Sequence, residues 1–382
     1  MQIYNLKKQE KTSYGEFWTA RQRQSHSIHH SVSYRASFKP ELPSYFINRF
    51  LEKKGSVVMD PFGGRGTTAI QANLEGHTAI HNDVNPLSLF LAGSRQEIPS
   101  IDKIEKKLNS ISLDENIPEE EMDEELLNFY HRDTLKEIKN LKKVIQEDKS
   151  PEMNMIALAA LSRLHGHSPG FFSVYSFPQF SVTPQAQKKN NLKRNLVPEY
   201  RVVKPRIIHK LKRDLKNPVP EYYHRYSANN MYINRNAANL GLDGEFVDLV
   251  VTSPPFLDKV DYNQDNWLRH WFLDIDTTAT AAGISIFKTV NEWRMFISRV
   301  IREAAGVIKP GGYFVMEVGE VMKNGKVIPL DETVVEASRD SGLEWFETVV
   351  NVQNFTKLSN CWNVSNNTKG TNSNRCVVLR KY

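Results

Sequence analysis

Short apolar runs alternate with amphipathic segments along two stretches of the chain. In the first stretch, residues 57–59 form an apolar run typical of a strand buried on both faces. A helix over 69–74, ended by Gly76, and a second strand over 78–82 are predicted to follow. The second stretch predicts helices at 293–307 and 332–339 and strands at 232–233, 249–252, 313–318, 345–352 and 377–379. This alternation predicts a doubly wound α/β sheet.

The same pattern divides the chain into three predicted parts. Residues 1–100 hold an N-terminal arm with a helix, followed by the first strand–helix–strand unit. Residues 101–230 read as an insertion, helical around 133–141 and irregular from Pro169 to Pro220. Residues 231–382 resume and complete the sheet. Because a long insertion in an α/β sheet usually carries function, 101–230 is the predicted recognition region.

A glycine-rich segment, Asp60-Pro61-Phe62-Gly63-Gly64-Arg65-Gly66-Thr67-Thr68, follows the first strand. Three glycines within four residues allow a tight turn and a close approach of the backbone to a ligand. Thr67 is expected to cap the helix that follows. Asp83 follows the second strand, where an acid in such a unit grips a ribose hydroxyl pair.

This half alone also fits a nicotinamide dehydrogenase. Gly64-Arg65-Gly66-Thr67-Thr68-Ala69 matches the loose dinucleotide pattern, with Asp83 at roughly the right distance. Asp60 argues against that interpretation, because a carboxylate beside the loop would repel a diphosphate. The same carboxylate would attract a ligand that carries an ammonium and a sulfonium group.

A second motif, Asp248-Leu249-Val250-Val251-Thr252-Ser253-Pro254-Pro255-Phe256, leads an apolar strand into two prolines. The prolines remove two backbone donors, stiffen the turn and hold the preceding residues extended. The result is a rigid hook with a hydroxyl, carbonyl acceptors and an aromatic ring. These groups suit an exocyclic amino group on a flat ring, although a proline-rich loop after a buried strand offers an equally simple explanation.

Together the two motifs resemble the amino-methylating DNA methyltransferases, specifically the N4-cytosine group. Two flanking segments are also similar: Phe38-Lys39-Pro40-Glu41-Leu42, and a closing strand within 369–379. The resemblance implies a Rossmann-like methyltransferase sheet that binds S-adenosylmethionine and contains an inserted target-recognition region. It further implies a restriction-modification context, in which a cognate restriction endonuclease acts without direct contact.

The resemblance assigns roles to individual residues. Ser253, Pro254, Pro255 and Phe256 would hold a flipped cytosine, with Phe256 stacked on its ring. The hook would act by preorganised hydrogen bonds from the amino group to the Ser253 side chain and the Pro254 carbonyl. The cofactor is assigned to Asp60, Pro61, Phe62, Gly63, Gly64, Gly66, Thr67, Asp83, Phe38, Pro40 and Asn236. Asn236 stands where this family often has an acid that accepts from the adenine amino group.

Composition narrows the function classes. The chain has 382 residues, 40% hydrophobic and 25% charged, as is usual for a globular protein. It lacks an apolar stretch of membrane-spanning length and an apolar start, so we expect a cytoplasmic protein without a membrane partner. Its two cysteines do not follow a proline, which counts against a C5-cytosine methyltransferase. The three histidines at 26, 29 and 30 lack nearby cysteines or acids, so we expect no metal site.

Positive charge is concentrated between Lys188 and Arg225, where twelve lysines or arginines meet three acids. Together with the interleaved tyrosines, these basic residues suit phosphate contact and base stacking on double-stranded DNA. A solvated face of an amphipathic helix over 207–215 is the simpler alternative. The residues predicted to contact DNA are Lys188, Lys189, Lys193, Arg194, Arg201, Lys204 and Arg206.

Three other functions stay open from the sequence. An adenine-N6 DNA methyltransferase with a serine in the hook is the nearest. An RNA amino-methyltransferase is the second, because similar hooks serve amino groups in RNA. A non-catalytic DNA-binding protein on the same fold is the third, and the intact motifs argue against it.

Overall fold

The structure is a computed structural model that describes residues 10–18, 25–177, 180–255, 262–277, 287–323, 326–352 and 373–382. Within these ranges the main sheet contains eight strands. They are β1 (Thr12–Gly15), β2 (Val57–Asp60), β3 (Thr78–Asn82), β4 (Met231–Ile233), β5 (Val247–Thr252), β6 (Ile308–Val318), β9 (Glu344–Val352) and β10 (Ser373–Arg380). A separate antiparallel hairpin joins β7 (Glu320–Lys323) to β8 (Lys326–Pro329).

The helices of the described residues lie between these strands. They are α1 (Glu41–Phe50), α2 (Thr67–Glu75), α3 (Pro86–Gly93), α4 (Ile101–Ser110), α5 (Arg132–Glu147), α6 (Pro151–Leu161), α7 (Pro184–Arg194), α8 (Val203–Asp214), α9 (Tyr223–Ser227), α10 (Tyr262–Asp265), α11 (Trp267–Leu273), α12 (Val290–Val307) and α13 (Leu330–Ala337). None of them combines the length and apolar character that a membrane crossing requires.

The strand order across the sheet is β1-β9-β10-β6-β5-β2-β3-β4. All neighbouring strands pair in parallel except β10, which runs antiparallel to both β6 and β9. The chain first builds outward from β2 to β3 and β4, then returns to the other side of β2 with β5. The predicted doubly wound α/β fold is therefore confirmed, and its topological switch point lies between β2 and β5.

Both faces of the sheet are covered, which explains the continuous apolar runs in the sequence. Successive side chains of a strand point to opposite faces, so Val58 and Met59 enter different cores. Val58 packs with α1 and α2, whereas Met59 packs with Trp293 and Ile297 of α12. All of these strand side chains are fully buried.

The insertion is largely helical. Helices α4, α5, α6 and α8 share one apolar cluster with Leu74 of α2 and with Leu87 and Leu91 of α3. The insertion therefore shares its core with helices of the first half of the chain. The predicted boundaries at 100 and 230 stay a prediction.

The prediction of an irregular chain from Pro169 to Pro220 is wrong for α7 and α8, although α8 contains most of the amphipathic helix that the sequence offered over 207–215. Helix α7 is polar on most of its surface, so it has no apolar stripe to reveal it. Local chemistry specifies it instead: the Thr183 side chain accepts a hydrogen bond from the Ala186 N–H, and Pro184 occupies the first turn.

One strand was not predicted, and another begins earlier than predicted. β1 was not predicted, because it is a short edge strand that pairs only with β9. β6 begins at Ile308 and continues through the Pro-Gly-Gly segment that was expected to separate helix from strand. The backbone there stays paired, since Gly311 N–H donates to the Lys381 carbonyl and Lys381 N–H donates to the Gly312 carbonyl.

Candidate active site

A cavity opens at the carboxyl ends of β2, β3, β4 and β5, at the switch point of the sheet. Its empty volume is about 880 Å³, including space that is open to solvent. Ten of the residues assigned to the site from sequence line it: Phe38, Pro61, Phe62, Gly63, Gly64, Thr67, Asp83, Asn236, Ser253 and Pro255. The glycine segment and the proline hook, which are far apart in sequence, thus face the same space.

The glycine loop is shaped by the side chains packed beneath it. A Cβ atom on Gly63 would lie 2.1 Å from a ring carbon of His81, so a larger residue cannot fit without a shift. Gly66 has φ of +83°, and a Cβ there would lie 2.7 Å from that of Ala92. His81 is buried and hydrogen-bonds Ser88 at 2.9 Å. Burial lowers the pKa of His81 to about 3, so this support stays neutral.

Thr67 is not the helix cap that the sequence predicted. Helix α2 begins at Thr67 itself, and its cap position is Gly66 in the left-handed conformation, without a side-chain hydrogen bond. The Thr67 hydroxyl instead accepts a hydrogen bond from the Arg65 Nε at 3.1 Å. Arg65 also donates to the carbonyls of His29 and Val32, which ties the N-terminal arm to the loop.

Asp83 lies at the end of β3, as predicted, and faces the cavity. One oxygen accepts from the Gly64 N–H and the other from the Asn85 N–H, both at 2.9 Å. Burial raises the pKa of Asp83, and these N–H groups oppose the shift. The carboxylate therefore braces the loop while it presents acceptor oxygens to the cavity.

Asp60 does not line the cavity, so its assignment as a direct cofactor contact stays a prediction that the cavity lining does not support. Its Oδ1 accepts from the Thr252 hydroxyl at 2.6 Å and from the Phe62 N–H at 3.0 Å. Burial raises the pKa of Asp60 to about 6. Asp60 joins β2 to β5 directly behind the two motifs, which makes it a positioning residue. Gly66, Pro40 and Pro254 also lie outside the cavity lining.

The wall near β4 carries Asn236 and apolar groups. The Asn236 Oδ1 accepts from the Ala238 N–H at 2.9 Å, and an amide oxygen has a second lone pair for a ligand. Phe62 and Phe296 line the cavity with ring centroids 6.0 Å apart. Pro40 precedes α1 and is buried, whereas Phe38 reaches the cavity.

The hook is held from two sides. The Ser253 hydroxyl donates to Glu317 Oε2 at 2.8 Å, and the Glu317 Oε1 accepts from Asn374 Nδ2 at 2.5 Å. On the other side, the Trp293 indole N–H donates to the Pro255 carbonyl at 3.1 Å. Pro254 is buried. Phe256 lies outside the described residues, so its predicted stacking role stays a prediction.

Sequence reasoning missed Glu317. It occupies β6 one residue after Met316, which pairs with Thr252 of β5, so Glu317 and Ser253 end neighbouring parallel strands side by side. A carboxylate near the end of a strand predicted next to the hook strand was the available signal. Its value depends on the strand register, which the sequence did not reveal.

Two tyrosines at the cavity were missed as well. Tyr34 and Tyr262 stack with ring centroids 5.8 Å apart and an angle of 13°, and both line the cavity. Burial raises the pKa of Tyr262 to about 12, so it stays a neutral hydroxyl. Arg35 also lines the cavity, and its guanidinium binds Asp265 at 3.0 Å. These residues come from the N-terminal arm and from the short helix α10, without a recognisable motif.

The predicted DNA-binding residues fall into two groups. Lys188, Lys189, Lys193 and Arg194 lie exposed on α7. Arg201, Lys204 and Arg206 are partly buried and donate to main-chain carbonyls. The second group ties segments of the insertion together, which leaves α7 as the main candidate surface for DNA.

Metal chemistry finds no support in the part of the chain that the structure describes. There, no group of three or more histidine, cysteine, aspartate or glutamate side chains is arranged to hold an ion. His29 of the arm is buried and hydrogen-bonds Gln71 at 2.9 Å, and His26 hydrogen-bonds the Pro218 carbonyl at 3.2 Å.

Comparison with known proteins agrees with the motifs. Residues 1–88 match the family model described as N6_N4_Mtase, DNA methylase. Over these residues the chain is similar to the N6 and N4 DNA methylases. This match covers the glycine segment and Asp83, and it favours the methylase interpretation of that segment over the dehydrogenase one.

Two curated relatives of these methylases align with the chain. It is 25% identical over 279 residues to the Type II methyltransferase M.BsoBI of Geobacillus stearothermophilus, which covers 65% of this chain and 53% of that protein. It is 33% identical over 88 residues to the Type II methyltransferase M.MjaII of Methanocaldococcus jannaschii, covering 23% and 16% respectively. The chain thus spans about half the length of the first relative and less of the second. Among solved structures, TrmN from Thermus thermophilus aligns over 91% of this chain and 50% of its own, with 11% identity and a TM-score of 0.36.

Proposed function

We propose that the protein is an S-adenosylmethionine-dependent DNA methyltransferase that methylates the N4 amino group of a flipped cytosine. The observation that carries this proposal is that the glycine loop and the proline hook line one cavity at the switch point of the sheet. The N6 and N4 methylase match and the Type II methyltransferase relatives support the same class. Their names also support a role in a restriction-modification system.

The cavity contains the groups that the cofactor requires. Asp83 offers acceptor oxygens for a ribose hydroxyl pair at the end of β3. Phe62 and Phe296 provide an apolar wall for a flat purine, and Asn236 keeps a lone pair for its amino group. When bound, S-adenosylmethionine would supply an electrophilic methyl group on a sulfonium.

Ser253 would prepare the amino group for attack. Because its hydroxyl proton is donated to Glu317, the serine oxygen is left to accept an N–H from the substrate. A hydrogen bond to a charged partner is also stronger than a neutral one, which polarises that oxygen. Acceptors at the two N–H groups, Ser253 and the proposed Pro254 carbonyl, favour the pyramidal nitrogen with an available lone pair.

The chain's contribution to the reaction is therefore positioning and fixed electrostatics rather than a covalent intermediate. Trp293 and Glu317 hold the hook, and Asp60 holds β5 against β2. The methylated nitrogen becomes cationic and loses its extra proton readily, so no strong base is needed.

The test is incubation of the protein with methyl-labelled cofactor and mixed-sequence duplex DNA, followed by mass spectrometry of the nucleosides. Label in N4-methylcytosine is expected, and Ser253→Ala should reduce it strongly. Label in N6-methyladenine would show that adenine is the target base. In a second incubation with competing tRNA, preferential labelling of the tRNA would show that RNA is the substrate. Absence of label in any nucleic acid, with cofactor binding also absent, would favour the non-catalytic alternative.

A further inference from the structure

An exposed aromatic ring, Phe177, packs on the partly buried ring of Phe180 beside the cavity residue Arg35. The Phe177 side chain is 40% exposed, and its ring centroid lies 4.6 Å from that of Phe180. The Phe180 ring lies 5.8 Å from the guanidinium carbon of Arg35, which lines the cavity. The Phe177 ring belongs to none of the core clusters of the described residues, so it is available for contact with a partner.

The two rings are carried by a segment that is anchored at both ends to one buried histidine. The His165 Nδ1 hydrogen-bonds the Phe177 carbonyl at 2.9 Å, and its Nε2 hydrogen-bonds the Ser181 hydroxyl at 3.1 Å. A carbonyl can only accept, so Nδ1 donates; in a neutral ring the unprotonated Nε2 then accepts from the Ser181 hydroxyl. Burial lowers the pKa of His165 to about 4, so the ring is neutral at physiological pH.

The same segment is fixed to the residues that form the cavity. The Ser181 N–H donates to the Asp265 carbonyl at 2.8 Å, and the Asp265 side chain binds Arg35. Asp265 ends the short helix α10, which begins at the cavity residue Tyr262. The position of the aromatic pair relative to the cavity is therefore set by the fold.

Positive charge continues from this segment. Helix α7 begins at Pro184, directly after it, and exposes Lys188, Lys189 and Lys193. Cations that contact phosphates beside aromatic rings that stack on bases are the combination that suits a nucleic acid. Helix α7 thus places exposed cations on the stretch of chain that directly follows the two rings.

We propose that Phe177, supported by Phe180, enters the duplex at the target base pair and fills the gap that the flipped base leaves. The inference rests on the proposed function, because it assumes that a base enters the cavity. Flipping breaks a base pair and its stacking, and an inserted apolar side chain lowers that cost by replacing lost contacts. Phe177 is then a positioning residue that matters only while the target base starts out paired.

The test compares single-turnover methylation of two duplexes that differ only opposite the target cytosine, with guanine in one and an abasic site in the other. We expect Phe177→Ala to methylate the paired target at least about tenfold more slowly than wild type, and the unpaired target within about twofold. Phe180→Ala should show the same preference. The control is Tyr14→Ala, which removes another exposed aromatic ring, from edge strand β1 at the far end of the sheet.

An equal loss of methylation rate on both duplexes would overturn the proposal, because Phe177 would then support the site as a whole rather than the opening of the base pair. Unchanged rates on both would overturn it as well. Since Phe177 is exposed, Phe177→Ala should keep the melting temperature of the wild type, and a large decrease would also count against the proposal. Failure of the proposed function itself is distinguishable, because the wild type would then methylate neither duplex.

Discussion

Glu317 determines which way the Ser253 hydroxyl points. Its carboxylate accepts one hydrogen bond from Asn374 and one from the Ser253 hydroxyl, so replacement by an amide disturbs both hydrogen bonds. We expect Glu317→Gln to lower the single-turnover methylation rate on the order of tenfold to a hundredfold. Cofactor affinity measured by calorimetry should be unchanged.

The matched control is Glu347→Gln, which changes a buried glutamate on β9 that binds Arg49. That variant should keep the wild-type rate. A wild-type rate in Glu317→Gln, or an equal loss in both variants, would contradict the role given to Glu317.

Asp60 should make stability depend on pH. Its pKa is about 6 in the fold against about 4 in the unfolded chain, so folding favours the protonated acid. The contribution of the protonated Asp60 to the free energy of unfolding is complete below about pH 4 and is lost as the pH rises through about 6. Relative to Asp60→Asn, the wild type should lose roughly 3 kcal/mol of unfolding free energy over this interval. Urea denaturation at several pH values tests this, and a constant difference between the two proteins would refute it.

The glycine loop shows how a single element depends on the one packed beneath it. A Cβ on Gly63 would overlap the His81 ring, so Gly63→Ala should lower the unfolding free energy by about 1–3 kcal/mol and weaken cofactor binding. Gly93→Ala is the control, since a Cβ there meets nothing within 4 Å and α3 tolerates alanine. Chemical denaturation measures both, and equal stability of the two variants would show that the loop adapts without cost.

The elements that the sequence predicted are those whose chemistry is local. The apolar runs of β2 and β5 and the glycine and proline motifs are visible without tertiary structure, so the sheet and half of the described residues that line the cavity were predicted. β1 depends on pairing with β9, and α7 has no apolar stripe, so neither left a pattern. Glu317 and Tyr262 gain their roles only from strand register and loop packing.

At the scale of the whole molecule, charge should control affinity for DNA. The combined variant Lys188→Ala, Lys189→Ala and Lys193→Ala should weaken binding to any duplex sequence. If each lysine contacts one phosphate, the slope of log affinity against log salt should fall by about 2 to 3. Fluorescence anisotropy at several salt concentrations measures this slope.

The control for that experiment is Arg299→Ala with Arg302→Ala. Both arginines are exposed in the second half of α12, which leads into the start of β6. They therefore lie toward the end of the sheet where the parallel strands begin, opposite the cavity. Their removal should leave the slope near that of the wild type. An equal change in both variants would mean that net charge alone controls binding.

The central claim is that the cavity between β2 and β5 is the cofactor site. Calorimetric titration with S-adenosylhomocysteine tests it most directly, comparing the wild type with Asp83→Ala and with Asp243→Ala, an exposed acid outside the cavity lining. We predict binding by the wild type and by Asp243→Ala, and at least about tenfold weaker binding by a folded Asp83→Ala. Absence of binding by the wild type, or unchanged affinity in Asp83→Ala, would contradict the account.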